Sequence, residues 1–191
     1  MSEYMLYDKI DEAVEAMRGR INQSKANRRT QKSVWMAIRT VLSFWLAQSY
    51  VGIEKSENLK NKYQLFFETL YTFLLMLKKS PKREEHYLAD RALYQGVLYR
   101  YLGHSSFCED EEELCKKVVP KYDEIYVSWS KVPTNDYIKS KLRGQITYMI
   151  CDTKELFGID LSAFGFTVGN EADVVFPTLE DYIISVQYLK Q

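Results

Sequence analysis

Val97-Leu98-Tyr99-Arg100-Tyr101-Leu102, closed by Gly103, marks the point where the chain changes character. Five of these six residues are aliphatic, β-branched or aromatic, and with a glycine stop the run fits a strand rather than a helix. Upstream, apolar residues recur every three or four positions. Downstream they come in short runs between glycines, prolines and clusters of charge. Reading this stretch as a strand therefore sets the fold class as α+β, with a helical lobe first and a sheet after it.

Three helices are expected upstream. Leu6, Ile10, Ala13, Val14, Met17 and Ile21 keep helical spacing over residues 3–24. Val34, Ile38, Val41, Leu42, Trp45 and Leu46 do so over 30–50, and Tyr63, Phe66, Phe67, Leu70, Phe73, Leu74 and Leu77 over 56–79. Ser56 followed by Glu57 is an N-cap signal, Lys78 and Lys79 suit a C-terminus, and Pro81 stops the run. Downstream, strands are expected over 125–129, 145–151, 156–161, 173–176 and 182–188, with short helices over 109–117 and 135–142. The expected division is a helical lobe, 1–85, and a domain built on a small mixed or antiparallel sheet, 86–191.

Composition narrows the function classes. The chain has 191 residues, 46% apolar and 27% charged, with zero formal net charge. That profile is globular and carries no global attraction to nucleic acid or to a membrane surface. The three cysteines, Cys108, Cys115 and Cys151, form no disulfide framework. His104, Cys108 and Cys115 lack an evident fourth partner for zinc, so no metal is expected. The apolar stretch Leu65–Leu77 is interrupted by Glu68 and Thr69 and is too short for a bilayer. No signal peptide is read at the N-terminus, and a cytoplasmic location is expected. Arg18, Arg20, Lys25, Arg28, Arg29, Lys32 and Arg39 occupy a stretch without acids. This is either a solvated face or a contact for nucleic acid or an acidic partner.

Three features of the second half recur in order. VLYRYLG holds Arg100 inside an aromatic strand. IYVSWSK ends a strand on Ser128 and Ser130. GNEADVVFP sets Glu171 and Asp173 one residue apart, hence on one strand face, before an apolar run that Pro177 stops. In that order the motifs resemble the Arg-Ser-Glu class of mono-ADP-ribosyltransferases, found in bacterial toxins and phage enzymes. The resemblance covers about residues 93–190 and leaves the helical lobe aside.

What the resemblance implies is an ADP-ribosyltransferase-type sheet that binds NAD as a substrate and passes ADP-ribose to a protein side chain or a nucleic acid. Arg100 would hold the pyrophosphate through its paired donors. Ser128 would orient the ribose and the acid, with Ser130 as its partner, and Tyr99 would contact the cofactor. Asp173 falls where the family has its catalytic glutamate, because Val174-Val175-Phe176-Pro177 follows. A carboxylate there stabilises the oxocarbenium-like cation left when nicotinamide departs. Glu171 falls where the family activates or selects the acceptor, and Phe164 or Phe166 would present the target.

The chain departs from the pattern in two places. Asp replaces Glu at the catalytic position, and an ångström of displacement costs orders of magnitude in rate. ALYQG, ending at Gly96, also looks like the family's first strand, with Gln95 in the arginine position. Each motif has a plainer reading too. Arg100 could pair with a surface acid, the serines could cap a turn, and the acids could guard a strand edge. A catalytically inactive relative that serves as an interaction or nucleic-acid-binding protein is the alternative function.

Overall fold

The periodic apolar rows of the first half form helices because each buries one stripe against its neighbours. A computed structural model of the chain describes residues 3–22, 28–47, 56–102, 129–132, 146–166, 173–175 and 183–189. The chain divides into two units, Met1–Ala92 and Leu93–Gln191. The first holds four helices among its described residues: α1 (Glu3–Asn22), α2 (Arg28–Ala47), α3 (Glu57–Lys78) and α4 (Arg83–Ala92). The second holds seven strands among its described residues and a short 3-10 turn. The class is α+β, with the helices preceding the sheet.

In the helical unit α1 packs against α2 and α3, and α3 against α4. Ile10, Ala13 and Met17 of α1, Ile38, Val41 and Leu42 of α2, and Phe66, Phe67, Leu70 and Leu74 of α3 have no solvent exposure. Burying each large apolar side chain contributes roughly 1.5–3 kcal/mol. Phe67 is edge-on to Trp45, with ring centroids 5.5 Å apart, and to Phe66 at 5.3 Å. Ser56 caps α3 as expected, its Oγ accepting from the Leu59 N–H at 3.3 Å.

The helix α4 was not expected. Its sequence, REEHYLADRA, is polar, and it buries only Glu85, Ala89 and Ala92. Glu85 accepts from Arg20 Nη2 at 2.8 Å, and both side chains are 7% exposed. Ser80 Oγ donates to the other carboxylate oxygen at 2.5 Å. This buried pair ties α4 to α1, and it draws α4 into the first unit, whose end falls at Ala92.

The sheet unit is built from β1 (Leu93–Tyr94), β2 (Val97–Leu102), β3 (Trp129–Ser130), β4 (Ile146–Asp152), β5 (Gly158–Asp160), β6 (Asp173–Val175) and β7 (Ile183–Leu189). Every pair is antiparallel, in the order β1-β5-β6-β3-β2-β4-β7. Only Gln95 and Gly96 separate β1 from β2, so these are two halves of one bent strand. The order therefore returns on itself: β2, β3, β6, β5 and β1 make a closed circuit, and β4 with β7 extends from it. The expected helices over 109–117 and 135–142, and residues 125–128 of the expected second strand, lie outside the described residues.

The bend has a local cause. Leu93 pairs with Ile159 and Tyr94 with Gly158, but the next pair along the strand is Val97 with Asp152. The strand opposite thus loops out over 153–157, between β4 and β5, where β1 passes into β2. Gly96 at φ +150° makes the corner, a conformation that side chains disfavour. Thr153, 1% exposed, accepts from the Gly96 N–H through Oγ1 at 2.7 Å, and its own N–H donates to the Gly96 carbonyl at 3.2 Å. Gln95 Nε2 reaches the Lys154 carbonyl at 2.5 Å.

Candidate functional site

Strand register fixes which motif residues meet. In an antiparallel pair, residues directly opposite share a face. Tyr99 of β2 lies opposite Ser130 of β3, and Ser130 lies opposite Asp173 of β6. A row of three candidate residues from three separated stretches of sequence is thus assembled across adjacent strands. Ser128 and Glu171 lie outside the described residues.

Arg100 does not join that row. It follows Tyr99 in a strand paired without interruption to β4 from Val97 to Leu102. Alternation turns it to the face of Leu98, which is fully buried. The sheet separates Arg100 from the Tyr99–Ser130–Asp173 row, so the expected convergence of this guanidinium with Asp173 is not formed, and Ser128, the third member of that expectation, lies outside the described residues. The cause is parity: pairing Tyr99 with Ser130 sends its neighbour to the other side. Gln95, the other candidate for the arginine position, serves the corner through Lys154.

Ser130 is buried and its hydroxyl works locally. Oγ accepts from the Val132 N–H at 3.2 Å and lies 3.1 Å from the Val132 carbonyl, to which it donates. This closes the turn that ends β3, as serine commonly does. The next residue, Lys131, reaches Asp160 Oδ2 at 2.6 Å and sits 5.6 Å from the centre of the Tyr94 ring. Asp160 in turn caps the 3-10 turn Leu161–Phe164, its Oδ1 accepting from the Ser162 N–H at 3.0 Å and from Ser162 Oγ at 2.7 Å. Phe164 is buried within this turn, and Phe166 is half-buried.

Lys131 and Asp160 are the residues that sequence reasoning missed here. The signal was present: a lysine directly follows the second motif serine, and an acid stands two residues before Ser162, a common capping arrangement. Their effect is to anchor the end of β3, and with it Ser130, beside β5 and β6.

The basic stretch of the helical unit is divided by its surroundings. Arg20 is buried against Glu85, so it is withdrawn from any nucleic-acid surface. Arg18 is exposed and paired to Glu15 at 3.2 Å. Lys32 and Arg39 are exposed. Among the described residues no group of three His, Cys, Asp or Glu side chains is arranged to hold a metal ion, and no helix is long and apolar enough to cross a membrane.

Burial, and next the charge of Asp152, push the Cys151 thiol up to about 12. That removes Cys151 as a nucleophile near neutral pH, because the thiolate is the reactive form.

No protein-family model matches the chain, and neither a curated protein nor a solved structure matches it.

Proposed function

We propose that the chain is an NAD-dependent mono-ADP-ribosyltransferase that passes ADP-ribose to a protein side chain or a nucleic acid. One observation carries the reading. The strands of the three motifs are consecutive in the sheet, and Ser130 stands directly opposite Tyr99 on one side and Asp173 on the other. Random placement of three short motifs over a seven-stranded order does not require that adjacency.

The chemistry asked of the site is limited. The bond between nicotinamide and the anomeric carbon breaks, nicotinamide leaves with the bonding electrons, and the ribose carries the positive charge. The carboxylate of Asp173 stabilises that charge, a preorganised electrostatic role worth roughly 10²–10³ in rate. The acceptor's lone pair then forms the new bond, and its proton passes to Glu171 or to water. Tyr99 and Ser130 define the strand positions beside the ribose. The pyrophosphate role that the resemblance assigned to Arg100 is given up, because Arg100 occupies the opposite face of β2.

A second reading is a fold of this type that has lost catalysis. It is favoured by the engagement of the Ser130 hydroxyl with Val132. Labelled NAD incubated with the protein and a cell lysate separates the two. The first reading expects label on protein or nucleic acid, absent with Asp173→Ala and retained with Arg100→Ala. No label, no nicotinamide release and no shift in thermal unfolding with NAD supports the second.

A further inference from the structure

The strand β7 ends the sheet order, pairing with β4 alone among the described strands. Seven consecutive residues, Ile183 to Leu189, pair with β4 without a bulge. Edge strands normally carry a lysine, a proline, a bulge or a very short length that blocks pairing with another chain. The sequence IISVQYL has no charge and no proline, and the strand is long and regular. Within Ile183–Leu189 none of these four devices is present.

We propose that β7 is a self-association edge, at which two copies of this chain join antiparallel about a two-fold axis through Val186. The choice of a second copy as occupant comes from the strand's own composition. An antiparallel pair of identical strands is two-fold symmetric by construction. The register that overlaps all seven residues places Ile183 opposite Leu189, Ile184 opposite Tyr188, Ser185 opposite Gln187, and Val186 opposite itself. Apolar positions meet apolar ones and the two polar positions meet each other, the cross-strand matching that stabilises sheets.

The same register satisfies the backbone. In an antiparallel ladder alternate residues turn their N–H and C=O groups toward the free edge. Each residue of β7 meets a residue of the same parity, so outward groups face outward groups whichever set is turned out. Shifting the axis by one residue keeps parity but leaves two residues of each strand unmatched. The zero formal net charge of the chain adds no long-range repulsion between copies.

The test uses the purified full chain. Light scattering after size exclusion gives a dimer mass for the wild type. Val186→Lys sets two ammonium groups face to face on the axis and halves that mass, with helical and sheet circular dichroism unchanged. A second variant guards against misfolding. Val186→Cys lies opposite its own copy, within the Cα separation of roughly 4.4–6.8 Å that a disulfide spans. It forms a covalent dimer under mild oxidant, whereas wild type and Ser185→Cys do not. A monomeric wild type, a Val186→Lys chain that remains a dimer, or no cross-link selective for position 186 overturns the proposal.

Discussion

In Glu57–Lys78 nine side chains are buried, and the helix is specified by its own spacing of aromatic and aliphatic residues. In Asp173–Val175 three residues make a strand only because Trp129, Ser130, Ile159 and Asp160 run alongside. The helical unit is a stack of largely locally encoded elements, with the buried Arg20–Glu85 contact tying α4 to α1. The sheet unit is a set of short segments whose meaning comes from their partners. Function, as proposed, depends on the second kind of information, since Tyr99, Ser130 and Asp173 become neighbours only through register.

If the helical unit is core-driven, removing core volume there has the largest effect. Phe67→Ala leaves a cavity beside Trp45, Tyr63 and Phe66. It is expected to lower stability by about 4 kcal/mol in urea unfolding. A loss below about 1 kcal/mol would mean that the helical core is loosely packed and that the contrast with the sheet unit is misplaced.

The buried pair comes next. Glu85→Ala leaves Arg20 charged and buried without its carboxylate, and a loss of about 3 kcal/mol is expected. The pair also has a pH signature. Burial raises the Glu85 carboxyl, but hydrogen bonds from Ser80 and Arg20 and the charges of Arg20 and Lys82 outweigh it and hold it below the usual 4.5. A carboxyl depressed in the folded state contributes stability that is complete above 4.5 and is lost as pH falls through the depressed value. Chemical denaturation from pH 6 downward should therefore show a steeper loss for the wild type than for Glu85→Gln.

In the sheet unit the sensitive point is the corner. Gly96→Ala forces a side chain onto φ +150° and brings its Cβ within 2.9 Å of Tyr94 Oη. The ring can yield, but the backbone strain stays, and about 2 kcal/mol is expected. Loss of dimer or of the proposed activity in step with that strain would tie the bend to the whole sheet. The smallest effect belongs to a local cap. Ser56→Ala removes the oxygen that accepts from Leu59 and is expected to cost about 1 kcal/mol, read from thermal unfolding.

The same contrast explains what could be read from the sequence. Helices α1, α2 and α3 were legible because a stripe repeated every three or four residues has no other stable solution. Helix α4 was not, because Ala89 and Ala92 give a thin stripe and Glu85 is buried against Arg20, a residue in another helix. Strand β2 was legible from Val97 to Leu102, and β4, β6 and β7 close to their observed limits. The corner at Gly96 was not, since nothing nearby announces that 153–157 will loop out opposite it. The motif strands were found in order, and their adjacency follows that order. The side on which Arg100 falls was not legible, because it turns on whether Tyr99 or Arg100 meets Ser130. That choice is made by pairing between distant segments.

If the acid opposite Ser130 acts on NAD, the purified full chain releases nicotinamide, and that rate is the quantity to measure. Measurable release by the wild type is expected, with a fall of about 10²–10³-fold for Asp173→Ala at unchanged thermal stability. Equal rates for the two proteins, or no release by either, would rule out that role for Asp173.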